Sequence, residues 1–297
     1  MRVLVSGSSG LIGSALRTRL AERGDEVVRL VRRPARGPNE RSWNPGRLEL
    51  DANGIDADAV VHLAGENIGA GRWSDARMRR IRESRVGPTR LLATALASRT
   101  DRPAVLVSAS AVGYYGDRGD ERLTEASDPG QGFLAELCQE WEAAADPARQ
   151  AGVRVVHPRS GVVLARDGGA LAKMLVPFKL GVGGRVGPGT QWVSWITLDD
   201  IVSVIERALD DPDLDGPVNA TAPEPVTNAE LTRALGRVLG RPTVLPLPAF
   251  AARLALGPMA DEALLSSARA VPERLQQRGF VFANPTIEGG LRQVLGR

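Results

Sequence analysis

The chain has 297 residues, of which 43% are hydrophobic and 25% are charged, so it is long enough to bury a large globular core. Its 38 basic and 35 acidic residues leave a net charge of +3, and its arginines are scattered along the whole sequence. This scatter argues against the localised basic face of a nucleic-acid-binding protein. A single cysteine, Cys138, excludes an intrachain disulfide and a multi-cysteine metal site, and we expect no bound metal.

No stretch of the sequence reaches the ~18 uninterrupted apolar residues that a membrane span needs. The apolar start at residues 1–6 is too short for a signal peptide and runs directly into glycines. We therefore expect a cytoplasmic protein without a membrane partner. The composition is compatible with an oligomer.

Residues 1–165 alternate apolar runs with segments of helical periodicity. The predicted strands cover residues 3–5, 27–31, 59–63, 104–108 and 153–157, and the predicted helices cover residues 11–23, 74–98 and 133–150. Strands and helices that alternate at this spacing form a parallel sheet with right-handed crossovers. The sequence predicts an α/β fold with a Rossmann-type, doubly wound parallel sheet in this first domain.

The alternation loosens after residue 165, and we assign residues 166–297 to a smaller lobe. Residues 192–197 resemble a strand, Asp199 or Asp200 is expected to cap a helix that ends at Leu209, and another strand lies near Val218. We expect these elements of residues 192–220 to return to the first domain. Thr227 is predicted to cap a further helix, and residues 242–297 are mostly helical after a proline-rich start.

A glycine-rich turn, GSSGLIG at residues 7–13, lies between the first strand and the first helix. Gly7 permits a tight turn, Gly10 lets a pyrophosphate approach the backbone, and Gly13 lets the helix pack closely on the strand. The free N–H groups of the helix start then attract phosphate. The predicted contact residues are Gly7, Ser9, Gly10, Leu11, Ile12 and Gly13. An ordinary strand-to-helix turn is the alternative, but the position directly after an apolar strand favours a nucleotide site.

The end of the second strand indicates which nucleotide is bound. An NAD site normally has an acidic residue there to accept a hydrogen bond from the ribose 2′-hydroxyl. This sequence has Arg32 and Arg33 instead, and a guanidinium can bind a 2′-phosphate. We therefore predict NADP(H), with Arg32 as the first choice for the phosphate and Arg33 as the second. Because arginine is common in this chain, two ordinary surface arginines are the competing interpretation.

With these residues placed, the chain resembles the extended and atypical short-chain dehydrogenases/reductases, the NAD(P)-dependent epimerase/dehydratase superfamily. Four segments carry the resemblance: residues 7–13, VHLAG at 61–65, VSAS at 107–110 followed by YYG at 114–116, and WITLDD at 195–200. More narrowly, it resembles epimerase-family proteins sometimes labelled cell-division-inhibitor-like. Segments shared with that group include AGEN at 64–67, VGYYGD at 112–117, LCQEWE at 137–142 and RSGVVL at 159–164.

The resemblance implies a path for the cofactor across the sheet. Leu63, Ala64 and Gly65 should line the adenosine side, and Ser108 and Ala109 should end the strand beneath the nicotinamide. The loop that covers the nicotinamide carboxamide should contain Pro158, Arg159, Ser160 and Val162.

Catalysis in this superfamily normally rests on a Tyr-x-x-x-Lys pair, in which the lysine lowers the pKa of the tyrosine that exchanges a proton with substrate. This chain has only Tyr114 and Tyr115, and neither is followed by lysine four residues later. Where the pair belongs, the tyrosine position holds Gly132 or Phe133, and the lysine position holds Glu136 or Leu137.

Other residues are candidates for the missing proton transfer. Ser110 is a hydrogen-bond donor, Tyr114 shares the four-residue spacing with Arg118, and Glu136 could serve as a base if it faces the nicotinamide. A surface carboxylate is the competing interpretation of Glu136. We interpret His62 as a core histidine and expect His157, at a strand end, to lie nearer the ligand.

Three functions fit these features. The first is an NADP(H)-dependent oxidoreductase or epimerase that acts on a small hydroxyl or carbonyl substrate without the usual pair. The second is a catalytically silent NADP(H)-binding protein that regulates or binds a partner. The third is a reductase in which water or a substrate group supplies the proton.

Overall fold

The computed structural model describes residues 1–50 and 55–297. The strands are β1 (Arg2–Ser6), β2 (Glu26–Val31), β3 (Glu40–Asn44), β4 (Glu49–Leu50), β5 (Ala59–His62), β6 (Val105–Ser108), β7 (Ser110–Ala111), β8 (Arg122–Leu123), β9 (Arg154–Ser160), β10 (Val162–Ala165), β11 (Trp192–Val193), β12 (Trp195–Thr197), β13 (Gly216–Ala220), β14 (Val226–Thr227) and β15 (Arg269–Ala270). The helices are α1 (Leu11–Glu22), α2 (Asp75–Glu83), α3 (Val86–Ala97), α4 (Phe133–Ala143), α5 (Asp146–Gln150), α6 (Gly169–Lys179), α7 (Leu198–Asp210), α8 (Asn228–Leu239), α9 (Ala249–Leu256), α10 (Glu273–Gln277) and α11 (Ile287–Leu295).

The main sheet has the strand order β13-β9-β6-β5-β1-β2-β3-β4, and the short β7 pairs with β9. Its strands pair in parallel except for β3 and β4, which are antiparallel. The chain begins at the centre of the sheet and winds outward in both directions, which is the Rossmann arrangement. The predicted Rossmann-type, doubly wound parallel sheet is confirmed.

Helices cover both faces of this sheet because successive side chains of each buried strand point to opposite faces. On one face, Val5 of β1 packs in a cluster with Leu16 of α1 and Ile205 of α7. On the other, Leu4 joins a cluster with Leu92 of α3. The pairing of β1, β5 and β6 places Ser6, His62 and Ser108 side by side at the carboxyl edge.

A further core holds the smaller lobe together. Leu175 of α6, Leu235 of α8 and Leu291 of α11 pack around Trp195 of β12. The parallel pair β10–β12 forms one side of this core. The predicted helical character of the C-terminal region is confirmed by α9, α10 and α11. Among the described residues, no helix combines the length and the apolar character needed to cross a bilayer.

Two predicted helices are each divided into two. The segment predicted as one helix over 74–98 forms α2 and α3, and the segment predicted over 133–150 forms α4 and α5. Prolines explain both breaks, because a proline ring clashes with the carbonyl four residues earlier. Pro88 stands four residues after Ser84, where α2 has ended, and Pro147 stands four residues after Ala143, the last residue of α4.

The structure also corrects the predicted start of α7. Thr197, rather than Asp199 or Asp200, caps the helix, because its hydroxyl accepts a hydrogen bond from the Asp200 N–H. The strand expected over 192–197 is interrupted at Ser194, so β11 pairs with β14 while β12 pairs with β10. Thr227 caps α8 as predicted, and it forms a capping box in which Thr227 and Glu230 exchange hydrogen bonds.

Candidate functional site

The glycine-rich turn forms a cradle that side chains would fill. Gly7 has φ +69°, and a Cβ atom added there would lie 2.7 Å from the Leu63 carbonyl carbon. A Cβ added at Gly13 would lie 2.2 Å from the Gly7 carbonyl oxygen, so α1 can approach β1 only with glycine at this position. The Gly10 N–H donates to the same oxygen at 3.0 Å and closes the turn. These constraints produce the tight approach that a pyrophosphate site requires.

The start of α1 is free to bind an anion. Gly10 is the N-cap, no side chain accepts a hydrogen bond from the first turn, and that turn carries no acidic residue. The backbone N–H groups of Leu11 and Ile12 therefore keep their affinity for phosphate. Ser9 is exposed beside this turn, and a Cβ added at Gly168, before α6, would lie 3.0 Å from a Leu11 methyl group.

The two arginines after β2 have different environments. Arg33 donates from its two terminal nitrogens to the two carboxylate oxygens of Glu40, both at 2.7 Å. These hydrogen bonds, with one from the Arg36 N–H, lower the pKa of Glu40 to about 2. Arg32 is exposed and has no ion-pair or hydrogen-bond partner among the described residues. The structure therefore leaves Arg32, our first choice, available for a phosphate.

Arg32 lines an open cleft of about 410 Å³ at the carboxyl ends of β2 and β3. Ser42 and Asn44 add polar groups to the wall of the cleft, and Trp43 adds an apolar group. Glu49 is an acidic residue in the same wall. A guanidinium beside hydroxyl and amide groups suits a phosphorylated ribose. The sequence analysis missed β3 and its residues because this polar strand has no apolar alternation.

The segment after β5 meets the cradle directly. Leu63 and Ala64 provide the backbone atoms closest to Gly7, which places the predicted adenosine-side residues next to the glycine turn. Gly65 is covered by Arg85, whose guanidinium carbon would lie 3.2 Å from an added Cβ. Arg85 in turn donates to the Glu66 carbonyl at 2.9 Å and so holds this segment in place.

Three buried polar atoms at the carboxyl edge of the sheet have no partner among the described residues: His62 Nε2, Ser108 Oγ and His157 Nε2. The other ring nitrogen of His62 lies 2.6 Å from Ser6 Oγ, so the predicted core histidine is only half satisfied. Burial lowers the pKa of His62 to about 4 and also lowers the pKa of His157. Ala109 continues β6 by donating to the His62 carbonyl at 3.0 Å.

A buried ion pair lies behind these strand ends. Arg159 donates to both oxygens of Glu142, at 2.8 and 2.9 Å, and Ser110 Oγ donates to Glu142 at 2.6 Å. Burial is the largest single influence on Glu142 and opposes its charge, but the hydrogen bonds and charge of Arg159, together with His157 and the Ser110 hydrogen bond, outweigh it and lower the carboxyl pKa. The Arg159 guanidinium also lies 3.4 Å from the Tyr114 ring centroid and donates to Tyr115 Oη at 3.1 Å.

This network changes the roles assigned to two residues. The donors of Arg159 are used within the protein, so only its backbone remains for the cofactor contact that the resemblance implied. Ser110 is buried and its hydroxyl proton is directed at Glu142. The segment expected as a covering loop is the end of β9, with Pro158 and Ser160 in register with β13, and Val162 begins β10.

Glu136 does not fit the role of a base. It lies on the exposed side of α4 beside Arg82, at 3.5 Å, whereas the buried side of the helix carries Leu137, Cys138 and Trp141. Tyr114 is half-buried in the 3-10 turn after β7, and Tyr115 is fully buried. The carboxylate at the start of α4 is instead Glu262, which accepts hydrogen bonds from the Phe133 and Leu134 N–H groups. No sequence signal pointed to this pairing.

In the described part of the chain, no three His, Cys, Asp or Glu side chains lie close enough together to hold a metal ion. The parallel sheet, the glycine cradle and the uncapped helix start define a dinucleotide-binding protein of the Rossmann class.

Comparison with known proteins identifies the family. The profile of the NAD dependent epimerase/dehydratase family matches residues 3–220, and a domain of unknown function, DUF1731, matches residues 247–294. The chain is 48% identical over 286 residues to epimerase family protein MT2273 of Mycobacterium tuberculosis (strain CDC 1551 / Oshkosh), covering 96% of this chain and 94% of that protein. The chain belongs to the NAD dependent epimerase/dehydratase family.

Solved structures agree with this assignment. The crystal structure of human epimerase family protein SDR39U1 (isoform2) with NADPH has a TM-score of 0.91 and 35% identity, with both chains covered completely. A nucleoside-diphosphate sugar epimerase from Corynebacterium glutamicum has a TM-score of 0.83 and 40% identity, covering all of this chain and 58% of that one.

Proposed function

We propose that this protein binds NADP(H) across the carboxyl edge of its main sheet and is an oxidoreductase or epimerase of a small hydroxyl or carbonyl compound. The observation that carries the proposal is the combination of an uncapped glycine cradle with a guanidinium at the end of β2, that of Arg32, which has no partner in the part of the chain that the structure describes. The human relative crystallised with NADPH supports the same cofactor.

The residues present fit this cofactor. The Leu11 and Ile12 N–H groups would bind the pyrophosphate, and Arg32 would bind the 2′-phosphate with charge-assisted hydrogen bonds. Gly7 and Gly13 admit no side chain, because an added Cβ would meet the backbone of Leu63 or of Gly7, and this close packing gives the turn its shape. Ser108 Oγ and His157 Nε2, which have no partner among the described residues, lie near the strand ends over which the nicotinamide half would lie. When bound, the nicotinamide supplies or accepts the hydride.

The chain must also move a proton, and we assign this role to Tyr114. Its ring is half-exposed, and the Arg159 guanidinium lies 3.4 Å from the ring centroid. Glu142 accepts hydrogen bonds from Arg159 and holds it in place, and Ser110 donates a further hydrogen bond to Glu142. Glu136 is not a candidate for proton transfer, because it lies on the exposed side of α4 beside Arg82.

A turnover assay tests the catalytic part. NADPH oxidation is followed with a panel of aldehydes and ketones, and Tyr114→Phe is compared with the wild type. We expect the variant to lose roughly 100-fold or more in turnover while binding NADPH with unchanged affinity. Full activity of Tyr114→Phe would exclude Tyr114 as the proton donor.

A catalytically silent NADP(H)-binding protein is the second candidate. One observation favours it: the helix that normally carries the pair, α4, holds Gly132, Phe133, Glu136 and Leu137 at the relevant positions. NADPH binding without oxidation by any carbonyl compound, together with a partner protein captured only when NADPH is present, would favour this candidate.

A further inference from the structure

An unusual share of exposed apolar surface is concentrated in two stretches of the smaller lobe. Eight of the eleven strongly exposed large hydrophobic side chains in the described residues belong to residues 176–182 and 244–254. The most exposed are Leu180 at 73%, Val244 at 75%, Phe250 at 73% and Leu254 at 76%. Single exposed apolar residues are common on soluble proteins, but a cluster of this kind marks an interaction site.

The two stretches adjoin each other through backbone contacts, although they are about 60 residues apart in the sequence. The Leu247 N–H donates to the Arg185 carbonyl at 2.8 Å, and the Gly187 N–H donates to the Leu247 carbonyl at 2.8 Å. A Cβ added at Gly184 would lie 1.9 Å from the Leu245 carbonyl oxygen, which shows how closely the two segments approach each other. We call this surface, formed by residues 169–187 and 240–256, the apolar face.

The charged residues within these two segments are all basic. Residues 169–185 and 240–256 carry five basic residues and no acidic residue, whereas the whole chain has 38 basic and 35 acidic residues. The basic residues are Lys173, Lys179, Arg185, Arg241 and Arg253, and they include both lysines of the protein. Arg253 is paired with Asp261, Lys173 donates to the Gly69 carbonyl and Arg185 donates to the Pro188 carbonyl. Lys179 and Arg241 have no hydrogen-bond or ion-pair partner among the described residues. The occupant of the face should therefore be apolar and anionic.

We propose that the apolar face docks on a lipid bilayer that contains anionic phospholipids. Protruding leucine, valine and phenylalanine side chains can enter the acyl boundary while lysine and arginine meet the headgroup phosphates. A second copy of the chain fits less well, because a two-fold interface places this face against itself and brings positive charges together. The expectation of no membrane partner rested on the lack of a spanning segment, which surface docking does not need.

The test is co-sedimentation of the full-length protein with vesicles, in the absence of NADP(H). Vesicles of phosphatidylcholine mixed with phosphatidylglycerol should sediment the protein, and vesicles of phosphatidylcholine alone should sediment far less of it. Raised salt should weaken the binding because it screens the headgroup charges.

Two variants separate the contributions. Phe250→Asp with Leu254→Asp should weaken vesicle binding by roughly tenfold or more, because apolar contacts are replaced by charges that the anionic surface repels. Lys179→Gln with Arg241→Gln should weaken it by roughly tenfold and reduce its salt dependence. Val281→Asp is the matched control, since Val281 is 86% exposed but lies outside the face; its binding should equal that of the wild type.

Each remaining outcome would overturn the proposal. These are failure of mixed vesicles to sediment the wild type, equal sedimentation of Phe250→Asp/Leu254→Asp, or a dimer in light scattering that this variant dissociates. The last result would assign the face to a second copy of the chain. None of these outcomes bears on NADP(H) binding, which is measured separately.

Discussion

Glu40 and Arg33 form an ion pair with two hydrogen bonds of 2.7 Å, and the neighbouring Arg32 is the guanidinium at the end of β2 that has no partner among the described residues. Glu40 is also contacted by Arg29 and by the Arg36 N–H. The Glu40 carboxylate thus forms ion pairs with two guanidinium groups, those of Arg29 and Arg33. The position of Glu40, rather than the number of arginines, determines which guanidinium is available for a phosphate.

Replacing Glu40 by glutamine should therefore strengthen the preference for NADPH over NADH. The change removes a negative charge near the cleft and releases Arg33, so we expect the ratio of the two affinities to rise by roughly threefold to tenfold. Fluorescence titrations of wild type and Glu40→Gln with each nucleotide measure it. An unchanged or lower ratio would show that Glu40 does not control the charge at this site.

Gly7→Ala should abolish NADPH binding, because the added methyl group meets the Leu63 backbone and the left-handed φ disfavours alanine. Gly24→Ala is the matched control, since Gly24 also has a positive φ, +84°, but an added Cβ there meets no atom within 4 Å. We expect Gly24→Ala to lose about 1 kcal/mol of unfolding free energy and to bind NADPH normally. Normal NADPH affinity in Gly7→Ala would refute the cradle.

The Glu142–Arg159 pair should behave as one unit in a double-mutant cycle. Glu142→Gln leaves Arg159 buried without its counter-charge, and we expect it to cost about 3 kcal/mol of unfolding free energy. Arg159→Met should cost a similar amount, and the double variant should cost clearly less than the sum of the two. Urea unfolding curves at neutral pH provide these values. Strict additivity would mean that the two side chains act independently.

Stability should fall on mild acidification because of His62. Burial lowers its folded-state pKa to about 4, below the value near 6.5 of an unfolded histidine. The unfolded chain therefore binds a proton first, so this stabilisation is complete above pH ~6.5 and is lost as the pH falls toward 4. Its full size is about 3 kcal/mol. Urea unfolding of the wild type and His62→Gln across this range should show a flatter dependence in the variant; parallel curves would contradict the assignment.

The main sheet and the glycine cradle were predictable because their signals are local. An apolar strand, a glycine turn and a helix with apolar residues at Leu16 and Leu20 follow one another within 22 residues. Each of these features can be recognised without knowledge of the remainder of the chain. The helix breaks at Pro88 and Pro147 also have local signals, since each proline is visible in the sequence.

The polar pairs of the site were not predictable, because their partners come from separate elements. Ser110 and Glu142 are 32 residues apart, and Glu262 reaches the start of α4 from 129 residues away. Such pairs depend on how α4 lies across β7 and β9 and on how the C-terminal segment folds back. The exposed position of Glu136 follows from the sequence pattern, since Leu137, Cys138 and Trp141 define the apolar side of the helix.

The most direct test of the cofactor assignment compares Arg32→Ala with Arg33→Ala in titrations with NADPH and NADH. Arg32→Ala should lose roughly 1.5–3 kcal/mol of NADPH binding and keep its NADH affinity, because only NADPH carries the 2′-phosphate. Arg33→Ala should lose less, since Glu40 already occupies that side chain. Equal losses of NADPH and NADH affinity in Arg32→Ala would contradict the proposed phosphate site.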